Sequence, residues 1–430
     1  MRNITQIVDA RLCCGCGTCA GICPTEAIRM LVSGSIFLPH VDNKKCNECQ
    51  LCIASCPGHR VDFEKYRSGI FGEPPKSSLI GNYIGCYIGH ATDRKMRYDS
   101  SSGGIVTQLL VFALEKGLID GALVIRMRKD NPLEPEAFIA RTKEEIISAS
   151  KSKYCPVAAN TGLKQIRREN GRFAVVGLPC HMHGIRKAEN VLKGLNTRIV
   201  IHIGLLCSHM VNFDGTLFLL KRKGVRKEMV SKIDYRGQGW PGLMSVYAKN
   251  GAHFEIPLTG SWKAYWPVFS SFFFTPIRCT MCPDQASELA DISLGDAWLP
   301  ELKGDKCGES IIITRTKIGE EILALATKAQ TISIKPVNLN KVVQSQRVNL
   351  VIKKYDLKLR LSILRLFGRK IPKFNPEPNS RGMMPAVFRG FYVYLNIYAS
   401  SNKYLRSLLA RFPFPLFRLY YGIYKYLSLI

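Results

Sequence analysis

The chain has 430 residues, with 61 Lys+Arg against 33 Asp+Glu for a formal net charge of +28, and 16 Cys. At 46% hydrophobic and 22% charged it is not a disordered chain, and its length predicts two or three domains. The opening MRNITQIVDARLCC lacks an apolar core ahead of a cleavage site, and no run of 18 or more uncharged apolar residues occurs, so neither a signal peptide nor a spanning helix is predicted. The expectation is a cytoplasmic protein whose cysteines bind metal or do redox work, because disulfides belong to oxidising compartments.

Residues 1–66 hold nine of the sixteen cysteines. Eight of them form one pattern written twice, C-x2-C-x2-C-x3-C-P, at Cys13, Cys16, Cys19, Cys23 and at Cys46, Cys49, Cys52, Cys56. Three cysteines two residues apart wrap one cubane, and the fourth reaches the cluster of the other repeat. One [4Fe–4S] cluster is therefore expected on Cys13, Cys16, Cys19 and Cys56, and a second on Cys46, Cys49, Cys52 and Cys23. Paired zinc sites are the competing reading, but zinc has no use for the third CxxC step and the closing Cys-Pro. Cys14 lies outside the register and reads as a bystander. Over residues 9–60 the segment resembles bacterial-type two-cluster ferredoxins.

Residues 67–84, rich in Gly, Pro and Ser, read as a linker. The stretch 85–330 alternates helical and strand signals. SSGGIVTQLLVFALEKG (101–117) reads as a capped helix, DGALVIRM (120–127) as a strand, and RTKEEIISASKSKY (141–154) as helix and loop. RFAVVGLPC (172–180) and TRIVIHIGLLC (197–207) read as buried strands, each ending in cysteine. Strands separated by helices predict an α/β body with a mixed or mostly parallel sheet. Cys180 and Cys207 then fall at strand carboxyl ends, the ligand edge of such sheets. With Cys279 and Cys282 of TPIRCTMCPD they make a candidate third [4Fe–4S] site. The alternatives are an activated thiolate at Cys180 or plain buried cysteines. Cys86, Cys155 and Cys307 read as structural. Ser101-Ser102-Gly103-Gly104 ahead of a helix suits an anion or a simple cap, and Lys151–Tyr154 forms a polar loop suited to a nucleotide.

The order SSGGIVTQLL, SKY, VVGLPCHMHGIRK, GLLCSHM, DYRGQGWPG, CTMCPDQASELADISLGDAW, GESIIITRT resembles the coenzyme F420 hydrogenase/dehydrogenase beta-subunit family over residues 80–330. The resemblance implies an α/β body binding FAD and a [4Fe–4S] cluster at Cys180, Cys207, Cys279 and Cys282. It places the flavin near Ser102, Gly103, Gly104, Lys153, Tyr154, Arg236 and Asp296. It also implies an oxidoreductase exchanging electrons between iron–sulfur centres and a hydride carrier such as F420 or an organic substrate. Some bacterial members are associated with surface-polysaccharide biosynthesis. The chain departs at His181, where the family often has an amide after GLPC. His181, His183, His202 and His209 cluster near the strand-end cysteines and read as hydrogen-bonded scaffold.

Residues 331–430 carry 18 Lys+Arg and two acidic residues, with none after Glu377. Thirteen aromatics follow Pro385, and KKYDLKLRLSILRLFGRK (353–370), KYLRSLLARF (403–412) and PLFRLYYGIYKYLSLI (415–430) read as basic amphipathic helices. Three readings compete: an anionic membrane surface on the inner face, a docking face for a partner, or nucleic acid, for which no recognised module is present. The whole is thus a dicluster ferredoxin domain fused to an α/β flavin-binding body, with a basic helical tail. Its expected partners are ferredoxin or a separate catalytic subunit. The alternative is a non-catalytic electron-transfer subunit.

Overall fold

The computed structural model describes residues 3–378 and 384–427. The apolar runs read as strands form the middle of an eight-stranded sheet. Its strands in chain order are β1 Gly85–Ala91, β2 Gly121–Met127, β3 Pro135–Ala140, β4 Phe173–Gly177, β5 Ile199–Leu205, β6 Ile292–Asp296, β7 Ser310–Thr314 and β8 Ile332–Pro336. They lie in the order β8-β1-β7-β6-β5-β4-β2-β3. The four strands β2, β4, β5 and β6 are parallel, and each remaining strand pairs antiparallel with its neighbours. The sheet is mixed, as expected.

The central strands β4 and β5 are apolar runs, broken only by His202, because helices cover both faces. On one face α1 (Ile105–Glu115) and α3 (Lys317–Lys328) pack on Ile201, Ile203, Ile292, Leu294 and Ile312. On the other, Met182, Ile185 and Ala188 of α2 (Pro179–Val191) meet Leu123, Val175 and Ile199. A separate three-stranded meander, Val230–Asp234, Leu243–Ala248 and His253–Pro257, packs on the aromatic run around Phe269–Phe274.

The cysteine-rich segment is joined to a late segment of the chain. Strand Arg60–Asp62 pairs in parallel with Lys373–Asn375. The 67–84 stretch is not a free linker. Its start completes the helix Phe63–Phe71, Ile80 is buried, and the Arg315 guanidinium donates to the carbonyls of Ile80 and Asn82. In the tail, α4 (Met384–Ser401), α5 (Lys403–Leu409) and α6 (Phe414–Leu427) fold back onto the body. Asn396 donates to Ser271 O at 2.7 Å, and Phe274 N donates to Ser400 Oγ at 2.8 Å.

Candidate redox centre

The doubled cysteine pattern folds as two short turns, Thr18–Ile22 and Leu51–Ala54, each entered through a left-handed residue, Gly17 and Gln50. Cys23, Cys46, Cys49 and Cys52 line one cavity. Cys13, Cys19 and Cys56 are electrostatic neighbours, and Cys56 also lies within reach of Cys16. Cys19 also feels Cys52, so the two groups adjoin. No disulfide joins these thiols. Burial, followed by neighbouring sulfurs, pushes Cys13 and Cys19 up, and Cys56 is pushed to about 11. Buried sulfurs this crowded hold thiolate charge only when a cationic centre compensates it, so the donor set fits iron–sulfur clusters.

This arm is pressed against the sheet. Asn160 N donates to Cys16 O at 2.9 Å, and Asn160 Nδ2 donates to Thr18 Oγ1 at 2.8 Å and to His181 O at 2.9 Å. A Cβ on Gly21 would stand 2.0 Å from Asn160 O, and one on Gly184 would stand 2.1 Å from Thr18 Oγ1. Arg278 Nε donates to Gly58 O at 2.9 Å, and Lys187 Nζ donates to Arg60 O at 2.8 Å. None of these contacts was legible in the sequence, since each joins positions far apart in the chain.

Cys180 sits in the first turn of α2 and Cys207 just beyond β5, both at the carboxyl edge of the parallel strands. Cys180 feels Cys207 and Cys282, and Cys207 feels Cys279 and Cys282. The four are thus linked as electrostatic neighbours at this edge. Burial leads in pushing the Cys207 thiol up to about 12, against the pull of Lys353. Lys353 is buried and donates to Cys279 O at 3.2 Å. Cys14 lies among these sulfurs, an electrostatic neighbour of both Cys16 and Cys180. It links the first ferredoxin group to the Cys180 group. Cys86 and Cys155 lie in apolar cores, and Cys307 N donates to Asp305 Oδ1.

The loops named for a flavin converge on the same edge. Ser152 N donates to Ser101 Oγ at 2.7 Å, Ser102 Oγ donates to Glu309 O at 2.9 Å, and Gly103 N donates to Ser310 Oγ at 3.1 Å. Gly104 adopts φ 77° to start α1. Gly103 leaves no room for a side chain, since a Cβ would meet Gly89 O at 2.5 Å. The Ser100 hydroxyl is buried there without a protein partner among the described residues. Arg236, fully buried, donates to Asp296 at 2.7 Å, to Pro241 O at 3.0 Å and to Tyr154 Oη at 3.3 Å. Trp240 Nε1 donates to the other Asp296 oxygen at 3.4 Å. Lys153 turns inward, its ammonium donating to Ala149 O, Ser150 O and Lys151 O at 2.6–2.9 Å. Burial leads in pulling its pKa down to about 7. Lys153, Arg236 and Asp296 therefore shape the loops with their charges spent on protein groups, while the helix start at 102–104 is what suits an anionic group.

The four histidines are scaffold. His183 pairs with Asp284 at 2.8 Å, and His209 Nε2 donates to Phe269 O at 2.9 Å. His181 Nδ1 accepts from Leu178 N at 3.1 Å, capping α2, and Nε2 donates to Val157 O at 3.1 Å. His202 lies between Glu189 at 2.7 Å and Asp291 at 2.9 Å. Burial and Arg186 push His202 down, yet the two carboxylates outweigh them and leave it raised above 6.5.

A ferredoxin-like cysteine arm locked onto the carboxyl edge of a mixed α/β sheet defines an iron–sulfur electron-transfer protein of the oxidoreductase class. Residues 86–164 and 170–340 match the two models for the coenzyme F420 hydrogenase/dehydrogenase beta subunit, N-terminal and C-terminal, and residues 7–29 match a 4Fe-4S binding domain. Coenzyme F420 hydrogenase subunit beta of Methanothermobacter thermautotrophicus is 31% identical over 268 residues, 60% of this chain and 86% of that protein. Coenzyme F420-dependent sulfite reductase of Methanocaldococcus jannaschii is 29% identical over 339 residues, 74% of this chain and 47% of that protein. A chain of the F420-reducing [NiFe] hydrogenase complex from Methanosarcina barkeri superposes with a TM-score of 0.54 at 25% identity, covering 70% of this chain and 98% of that one. The chain belongs to the coenzyme F420 hydrogenase/dehydrogenase beta-subunit family.

Proposed function

We propose that the protein passes electrons between ferredoxin-type clusters and a flavin that exchanges hydride with an F420-like carrier. The observation that supports this reading is a series of cysteines that are electrostatic neighbours in succession. It leads from the Cys46 cavity through the Cys13 group and Cys14 to Cys180, Cys207, Cys279 and Cys282. The run ends on the sheet edge that also bears the 102–104 loop. When bound, the clusters supply single-electron transfer and FAD supplies the conversion to hydride.

The residues of the chain set the positions. Cys13, Cys16, Cys19 and Cys56 hold one cluster, Cys23, Cys46, Cys49 and Cys52 the second, and Cys180, Cys207, Cys279 and Cys282 the third. Asn160 and Thr18 fix the spacing between the arm and Cys180. Ser102, Gly103 and Gly104 present the α1 start to the flavin's phosphates, while Lys153, Tyr154, Arg236 and Asp296 brace the adjoining loops. Lys353 and Arg278 offset thiolate charge. We place the protein on the cytoplasmic side, with its basic tail at the membrane surface.

Anaerobic purification with iron and flavin counts tests this: about twelve irons and one FAD per chain are expected from three four-iron clusters. A second reading, a non-catalytic electron-transfer subunit, rests on the relatives, whose names describe subunits of F420-linked hydrogenases. About eight irons without flavin would select it. Turnover with reduced F420 against reduced ferredoxin then identifies the carrier, with a lipid-linked sugar as the organic acceptor to be tried.

A further inference from the structure

Among the described residues 21 large hydrophobic side chains are exposed, and 13 of them lie beyond residue 365. They are ordered. On α4 they are Phe388, Phe391, Leu395 and Tyr398, and on α6 they are Leu416, Leu419, Ile423 and Tyr426. Both sets fall at i, i+3, i+7 and i+10, which makes one stripe along each helix. The face of α4 turned to the body carries polar ties among the buried Ala386, Val393 and Ile397. Arg389 donates to both Asp356 oxygens at 2.7 and 2.9 Å, Tyr392 Oη donates to Ser271 at 2.9 Å, and Asn396 and Ser400 bond to the 271–274 backbone. On α6, Phe417 and Tyr424 are buried against the body, so each helix seats one face on the body and leaves a second, apolar stripe uncovered.

The two stripes share one side. Tyr392 stacks on Tyr420 and Tyr424 with ring centroids 4.6 and 4.5 Å apart. Phe388 and Leu395 are one helical step from Tyr392, as Leu416 and Ile423 are from Tyr420, so each stripe borders this seam. Leu366 and Phe367 add an exposed tip, 87% and 76% accessible, between exposed Arg365 and Lys370. Lys403, Arg418 and Lys425 on these helices and Arg411 in the turn between α5 and α6 are exposed, and no acidic residue follows Glu377. A second copy of a chain carrying +28 would be repelled, whereas an anionic surface is complementary. Among the described residues no helix is long and apolar enough to cross a membrane.

We propose that α4, α5, α6 and the 366–367 tip form one interfacial face that docks on anionic phospholipid, rings and aliphatic chains at headgroup depth and cations toward the phosphates. This deepens the peripheral placement proposed above and does not depend on the redox chemistry, because iron and flavin counts are read separately from binding.

The test is flotation of the full-length holoprotein with vesicles of 30% phosphatidylserine in phosphatidylcholine, and with phosphatidylcholine alone. Binding to the anionic vesicles, falling at least tenfold at high salt, is expected. F391S/L395S/L419S should lower it at least tenfold, and L366S/F367S, which disturbs no buried contact, by a smaller factor. Unchanged iron content and visible absorbance report that each variant is folded. Equal binding to neutral vesicles, undiminished binding by both variants, or no binding by the wild type would overturn the proposal. So would a gel-filtration dimer that the triple variant dissolves, since it would assign the face to protein contact.

Discussion

Arg236→Met tests whether the buried network beside the 102–104 loop serves the flavin. The guanidinium is 2% accessible and holds Asp296, Tyr154 and the Pro241 carbonyl together. Breaking a buried ion pair by removing one partner costs about 3–5 kcal/mol, because the remaining charge is left without compensation. The Asp296 side chain keeps 16% of its exposure and a bond from Trp240, so the lower end, about 3 kcal/mol, applies. If the network pre-organises the loops that bracket FAD, that loss weakens FAD binding by about 10²-fold. Anaerobic titration of flavin-stripped protein with FAD, read by fluorescence quenching, measures it. Arg236→Lys keeps the charge but not the fork and should fall between the two. FAD affinity within threefold of wild type in Arg236→Met would refute the assignment of this network to the flavin.

Cys279→Ala should lower bound iron from about twelve to about eight per chain, whereas Cys14→Ala should keep all of it and slow reduction of the third centre by the first. Iron analysis with stopped-flow reduction separates these, and an equal iron loss in both variants would make Cys14 a ligand. Gly21→Ala places a Cβ 2.0 Å from Asn160 O. It should loosen the arm, raise proteolysis near residues 21–27, and slow flavin reduction more than tenfold with iron retained; a wild-type rate would remove Asn160 from the coupling. His202, raised above 6.5 by Glu189 and Asp291, contributes stability that is full below pH 6.5 and is lost as pH climbs through its raised value. The half-life of cluster absorbance at elevated temperature should therefore shorten with rising pH, and His202→Gln should flatten that slope; an unchanged slope would place the dependence elsewhere.

The cysteine pattern was legible in the sequence because cluster ligation is a local problem. Three sulfurs two residues apart need only that spacing and small neighbours to wrap one side of a cubane, and the matching repeat supplies the fourth. The mixed sheet was legible too, because strands covered on both faces are apolar runs, as Phe173–Gly177 is and as Ile199–Leu205 is apart from His202. Strand-end Cys180 and Cys207 could be nominated from that alone. Other outcomes required the folded chain. Cys14 sits out of register in its own loop, and only the approach of α2 brings Cys180 to it. Lys153 has the composition of an anion-binding loop, yet three backbone carbonyls of its own turn take up its ammonium. Composition showed that the tail was basic and aromatic, but not which way it faced. That was decided by the side seated on the body, where Arg389, Asn396 and Ser400 are buried together with Val393, Ile397, Phe417 and Tyr424. The three polar groups bond to Asp356 and the 271–274 turn, and with the apolar seat they hold the stripes outward.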